Sequence, residues 1–87
     1  ISHEANFGEQ HPTTAGRYSN LALVLKDLGD YKGSFVLALK AYRIYAGLLG
    51  QQHPTTMIIE GNLEVIESEM LEKGWSMEQI EALMVPG

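Results

Sequence analysis

The sequence predicts an all-α protein, an antiparallel array of helix-turn-helix pairs closed by a short C-terminal helix. Three observations carry that expectation. A block recurs at a fixed offset of 42, so that GEQHPTT from Gly8 returns as GQQHPTT from Gly50 and Asn20-Leu21 returns as Asn62-Leu63. Repeats of roughly 20 to 50 residues mark stacked units that bury one another's apolar faces. Apolar side chains within the block fall at helical spacing, and proline and glycine stand at the ends of the apolar runs, where helices start and stop.

Residues 1–8 read as the tail of a preceding repeat's second helix, with Phe7 at the register of Leu49. Residues 9–50 then hold one complete helix pair. Its first helix is predicted from about Pro12 to Leu28: proline fits the first helical position, whose N–H has no intrahelical acceptor, and Gly29 suits the left-handed residue that ends a helix. Tyr18, Leu21, Ala22, Val24, Leu25 and Leu28 form one broad apolar arc, while Gly16, Ser19, Asn20, Leu23, Lys26 and Asp27 face the other way. The second helix is predicted from about Tyr31 to Leu49 and carries two adjoining apolar stripes. Tyr31, Phe35, Ala38, Tyr42, Tyr45 and Leu49 make one, and Ser34, Leu37, Ala41, Ile44 and Leu48 the other. Only the line Lys32, Val36, Lys40, Arg43, Gly47 is left for water, so this helix is expected between the first and the third.

Residues 51–73 supply the first helix of a second repeat, expected from about Pro54 to Lys73, with a single stripe at Ile59, Leu63, Ile66 and Met70. Its opposite face carries Glu60, Glu64 and Glu67 at the register of Tyr18, Ala22 and Leu25. Three carboxylates without cations beside them belong in water. The array is therefore expected to end at this face. In residues 74–87, Ser76 and Gln79 make a capping box and Trp75 can staple to Ile80, which predicts a short helix from about Met77 to Met84. That helix either folds back as a lid or docks on another chain.

Length and composition exclude several classes. The 87 residues bound a single domain, and the first of them is Ile1 rather than Met, so the chain is read as a fragment of a longer polypeptide. The absence of cysteine removes disulfides and thiolate metal sites. No apolar run approaches the roughly 18 residues of a membrane span, and no basic-then-apolar secretory start is present, so the expected setting is cytoplasmic. The net charge of −5 is concentrated in residues 60–87, where seven acids face the single cation Lys73. Nucleic acid and anionic membrane both require clustered cations, and neither is expected as a partner.

Gly8-Glu9-Gln10-His11-Pro12, Asn20-Leu21-Ala22, Gly29-Asp30-Tyr31 and the later Ala41 together resemble a tetratricopeptide repeat, of the long variety found in kinesin light chains and their relatives. The likeness runs from Gly8 to about Met70. Ser34 stands where that family usually has alanine, Glu64 follows Asn62-Leu63 in place of alanine, and Gly74-Trp75 arrives three residues late for a Gly-x-Tyr. The resemblance implies a superhelical array without catalysis or cofactor, in which the first helices line a concave surface that holds a peptide or partner protein. It assigns to that surface Ser19, Asn20, Leu23, Lys26 and Asp27 of the first helix and Asn62, Val65 and Glu69 of the third.

The chemistry of the residues points the same way. His11 and His53 sit at equivalent corners of successive repeats and lack ligand spacing, so they read as helix entrances rather than as a metal site. There is no Gly-x-Ser-x-Gly elbow and no phosphate-binding glycine loop, and no enzyme is expected. Asparagine both donates to and accepts from an extended backbone, so Asn20 and Asn62 would form a ladder for a peptide. A second reading makes the segment a C-terminal cap, or a homo-oligomer joined through Trp75, Ile80 and Leu83.

Overall fold

The computed structural model describes residues 12–84, and within them the chain is all-α. Four helices follow one another among the described residues: α1 (Pro12–Asp27), α2 (Tyr31–Leu49), α3 (Pro54–Glu72) and α4 (Met77–Met84). The expected repeat tail at residues 1–8 and the residues His3, Gly8 and His11 lie outside the described residues. Helix α2 is the central element and packs on α1, α3 and α4. The predicted sandwich is thus the observed one, and α2 buries Ser34, Phe35, Ala38 and Ala41 within it.

Each connection follows from its local chemistry. After α1 the N–H of Gly29 donates to Lys26 O and that of Asp30 to Leu25 O, a closure that needs a left-handed residue and finds it in Gly29 at φ +90°. Asp30 then begins the next helix by accepting the N–H of Gly33 on its side chain at 3.1 Å. A side chain at position 33 would press against that carboxylate, since a Cβ there would come within 2.7 Å of Asp30 Oδ2. After α3 the same closure recurs, with Gly74 N donating to Leu71 O and Trp75 N to Met70 O.

Two clusters make the core. Ala15, Ala41 and Ile59 form one with Tyr18, Tyr42, Ile44 and Tyr45 around them. Ala22, Phe35, Ala38, Ile66, Met70 and Ile80 form the other, with Leu63, Trp75 and Leu83 packed against it. Between α1 and α2 the contact is close enough for Ser34 Oγ, fully buried, to donate to Ala22 O at 2.6 Å. This is the position at which the sequence has serine in place of the alanine usual in the family it resembles. The hydroxyl adds a bond between the helices that alanine could not make.

The apolar arc predicted for α1 is only half covered. Ala15, Tyr18, Ala22 and Leu25 meet α2, whereas Leu21, Val24 and Leu28 remain 47%, 51% and 77% exposed. The reason is that among the described residues α1 has one main neighbour, and a helix with one neighbour buries one stripe. The stripe predicted for α3 is buried throughout or in part: Ile59, Ile66 and Met70 are inside and Leu63 is half-buried. Glu60 and Glu64 point to water, and Glu67 is half-buried.

Helix α4 folds back over the core. Ser76 N donates to Gln79 Oε1 at 2.9 Å and Gln79 N returns the bond to Ser76 Oγ at 3.1 Å, the reciprocal pair expected of a capping box. Ile80 is fully buried against Phe35, Ile66 and Met70. At its far end the carbonyl of Met84 accepts from Arg43 Nη2 at 2.6 Å, which ties the helix terminus to α2.

Candidate functional site

The face assigned to binding is built from the two helices that open the repeats. On α1, Ser19 and Lys26 lie seven residues apart and so share a line along the helix, as do Asn20 and Asp27 beside it. On α3, Asn62 and Glu69 share the equivalent line. Lys26 Nζ lies 3.2 Å from Glu69 Oε2. This contact brings the C-terminal ends of the two lines together, although α1 and α3 pack far less on one another than each does on α2. Lys26, one of the residues assigned to that face, is already matched by an acid of its own chain. The Glu69 partner occupies the register of Asp27, one repeat later.

The remaining members of the face are open to solvent in different degrees. Asn20 and Asp27 are exposed, Leu23 and Val65 are 38% and 50% exposed, and Ser19 and Asn62 are half-buried. Among the described residues the side-chain amides of Asn20 and Asn62 make no hydrogen bond. Their donors and acceptors are therefore available. The small residues Gly16 and Gly61 flank the asparagine positions on the same helices. Tyr45 reaches across to Gly16, where an added Cβ would stand 3.4 Å from its hydroxyl, and Lys40 lies 5.8 Å above the ring of Tyr18. These contacts brace the α1–α2 pair that carries half of the face.

The three residues considered for self-association are turned inward. Ile80 is fully buried, and Trp75 and Leu83 are half-buried against the core cluster of the same chain. Ile80 is spent wholly, and Trp75 and Leu83 in part, on the core of their own chain, because the short α4 has one apolar side and α2 and α3 offer it a seat. What α4 leaves outside is Met77, 48% exposed, and Met84 at its end.

The histidine of the repeated tetrapeptide, read from the sequence as a helix entrance, has a defined part in that entrance. His53 is the residue that caps α3: its Nδ1 accepts the N–H of Thr55 at 3.1 Å, with Pro54 occupying the first turn behind it. Histidine is not among the usual capping residues. The signal that could have found it was position alone, immediately before a helix-starting proline. Among the described residues no group of three His, Cys, Asp or Glu side chains is gathered to hold a metal ion.

With the helix pair and its face in place, the comparison with protein families is decisive for one segment. Residues 14–55 match the tetratricopeptide repeat. The matched stretch contains most of α1, all of α2 and the first turn of α3, so the tetratricopeptide repeat coincides with the complete helix pair and its handover to the next. The fold is accordingly a tetratricopeptide-like helical array with a short C-terminal helix. Comparison with curated proteins and with solved structures returns no match. Tetratricopeptide repeats are as a class protein-interaction modules, and no described helix is long and apolar enough to cross a membrane.

Proposed function

We propose that this chain is a non-catalytic interaction module of the 42-residue, kinesin-light-chain-like kind, and that the face shared by α1 and α3 holds an extended peptide segment of a partner protein. The observation that carries the reading is the Lys26–Glu69 contact, since it joins two helices from successive repeats into one surface. On that surface Asn20 and Asn62 offer unengaged amides at equivalent positions, with Leu23 and Val65 beside them as apolar footing. An amide pair of this kind reads backbone rather than side chain, which suits a groove tolerant of sequence. The offset of 42 and the GEQHP connection support the subtype. Cytoplasmic residence and a protein rather than nucleic-acid or membrane partner belong to the same proposal, in keeping with the acidity of residues 60–87.

The test is selection of binders from a displayed random-peptide library on the 87-residue chain, followed by Asn20→Ala plus Asn62→Ala. Loss of two hydrogen bonds to the peptide is expected to weaken binding by roughly ten-fold at unchanged helicity. Selected peptides that bind the double variant equally well would remove the proposal.

A second reading, that the segment is the terminal cap of a longer array, is favoured by the burial of Ile80 and the exposure of Glu60 and Glu64. The cap reading expects a monomer by sedimentation. A dimer would favour the self-association version instead.

A further inference from the structure

We propose that a second copy of this chain docks by charge complementarity, the acidic stripe of its α3 lying along the basic ridge of α2. The ridge is the solvent side of α2, where Lys32, Lys40 and Arg43 are exposed. Helix α2 has no acidic side chain among its 19 residues, whereas α3 has five glutamates and no cation. The chain thus separates its charge by helix. Of these groups only Glu69 meets an opposite charge among the described residues, in Lys26 of α1. One sign gathered on one face, and the other sign on another face of the same chain, suits attraction between copies.

Spacing decides how the two surfaces meet. On α2, Lys40, Arg43 and Gly47 follow one another at intervals of three and four along the ridge. On α3, Glu64, Glu60 and Met57 run the other way at intervals of four and three, and all are exposed. Both sets span seven residues, or roughly 10 Å of helix. Antiparallel docking therefore sets Glu64 against Lys40, Glu60 against Arg43 and Met57 over Gly47. Parallel docking pairs the same charges but brings the polar Ser68 over Gly47 in place of Met57.

The place that receives Met57 is a hollow with an aliphatic floor. It has a volume of about 310 Å³ and is lined by Arg43, Ile44, Gly47 and Leu48. Outside its own stretch of helix, nothing stands within 4 Å of where a Cβ on Gly47 would lie. An unbranched thioether side chain suits an irregular space of that kind, and Met57 is 54% exposed on its own helix. Beside the hollow, Arg43 is steadied by its bond to Met84 O and keeps further N–H donors for a carboxylate. Ridge and stripe are different surfaces, so every copy that docks leaves one of each unused. Contacts of this heterologous kind build open assemblies rather than closed pairs, and this one leaves the concave face free.

The test is sedimentation equilibrium of the 87-residue chain from micromolar to millimolar concentration at low ionic strength, where charged surfaces are least screened. The mean mass is expected to rise steadily with concentration and to fall back toward the monomer when salt is added. Glu60→Lys plus Glu64→Lys, at two exposed positions without an opposite charge among the described residues, should weaken association by about ten-fold or more at unchanged helicity. Lys40→Glu plus Arg43→Glu should do the same. An equimolar mixture of the two variants should associate again, because the acidic ridge of one then faces the basic stripe of the other. A monomer throughout, association untouched by either pair of substitutions, or a mixture that stays apart would each overturn the inference. So would a closed dimer indifferent to salt, which belongs to Trp75, Ile80 and Leu83 instead.

Discussion

Helices α1 and α3 both open on Pro-Thr-Thr and share a register, yet they bury different faces. In α1 the line Ala15, Tyr18, Ala22, Leu25 is turned to α2, while Leu21, Val24 and Leu28 are left open. In α3 the line Ile59, Leu63, Ile66, Met70 is turned to α2, while Met57, Glu60 and Glu64 are left open. One helix lies on each side of α2, so each presents the face nearest to it. The difference that teaches most is in what remains outside. The open stripe of α1 is aliphatic, and that of α3 carries Glu60 and Glu64. The two sides of α2 therefore present different chemistry to their surroundings, aliphatic beyond α1 and acidic beyond α3.

The largest expected effect comes from writing one helix's chemistry onto the other. Ala22→Glu copies Glu64 into the first repeat at a position 1% exposed, beneath the Ser34 bond. An uncompensated buried charge costs about 3 to 5 kcal/mol, so urea denaturation should find the chain largely unfolded. The reciprocal change, Glu64→Ala, should stay within about 0.5 kcal/mol of the unmodified chain. Equal effects of the two would refute the assignment of faces.

A smaller effect separates equivalent aliphatic positions. Ile66→Ala empties space in a fully buried site and should cost about 2 to 5 kcal/mol, whereas Val24→Ala, at the same register and half open, should cost less than about 0.5 kcal/mol. The midpoint of denaturation for each variant reads this directly. The smallest effect concerns the entrance to α3. His53→Ala removes the acceptor for Thr55 N–H and should lower stability by about 1 kcal/mol. His53→Asn, which restores a capping side chain, should recover most of it.

Helix ends were the most legible part of the fold, because the residues that start and stop helices act over a few positions. Pro54, Gly29, Gly74 and the Ser76–Gln79 pair all do what their local chemistry requires. The ends of α1 and α3 fall one residue short of expectation, at Asp27 and Glu72. Periodicity also identified both stripes of α2 as far as Tyr45, beyond which Leu48 and Leu49 stand 50% and 39% exposed because no described helix covers that end. Coverage was harder to read. Leu21, Val24 and Leu28 are as apolar as Leu63, Ile66 and Met70, and spacing says nothing about whether a neighbour is present. The same gap explains Trp75, Ile80 and Leu83, whose stripe could equally have faced another chain. Of the candidate face, the matching positions Asn20 and Asn62 follow from the repeat, but the Lys26–Glu69 pair does not. Lys26 aligns with Ser68, so the second repeat has no lysine at that place, and the contact depends on the distance between two helices that only the packing around α2 sets.

That distance gives the ion pair a mechanical meaning. Helices α1 and α3 are held mainly through their common neighbour, so Lys26 and Glu69 act as a brace across the open side of a hinge whose pin is α2. Their side chains retain 19% and 35% of their exposure, which leaves the attraction within reach of dissolved ions. Raising the ionic strength slackens the brace without touching the pin. Added salt is therefore expected to loosen the tie between α1 and α3 before it disturbs the packing of either on α2.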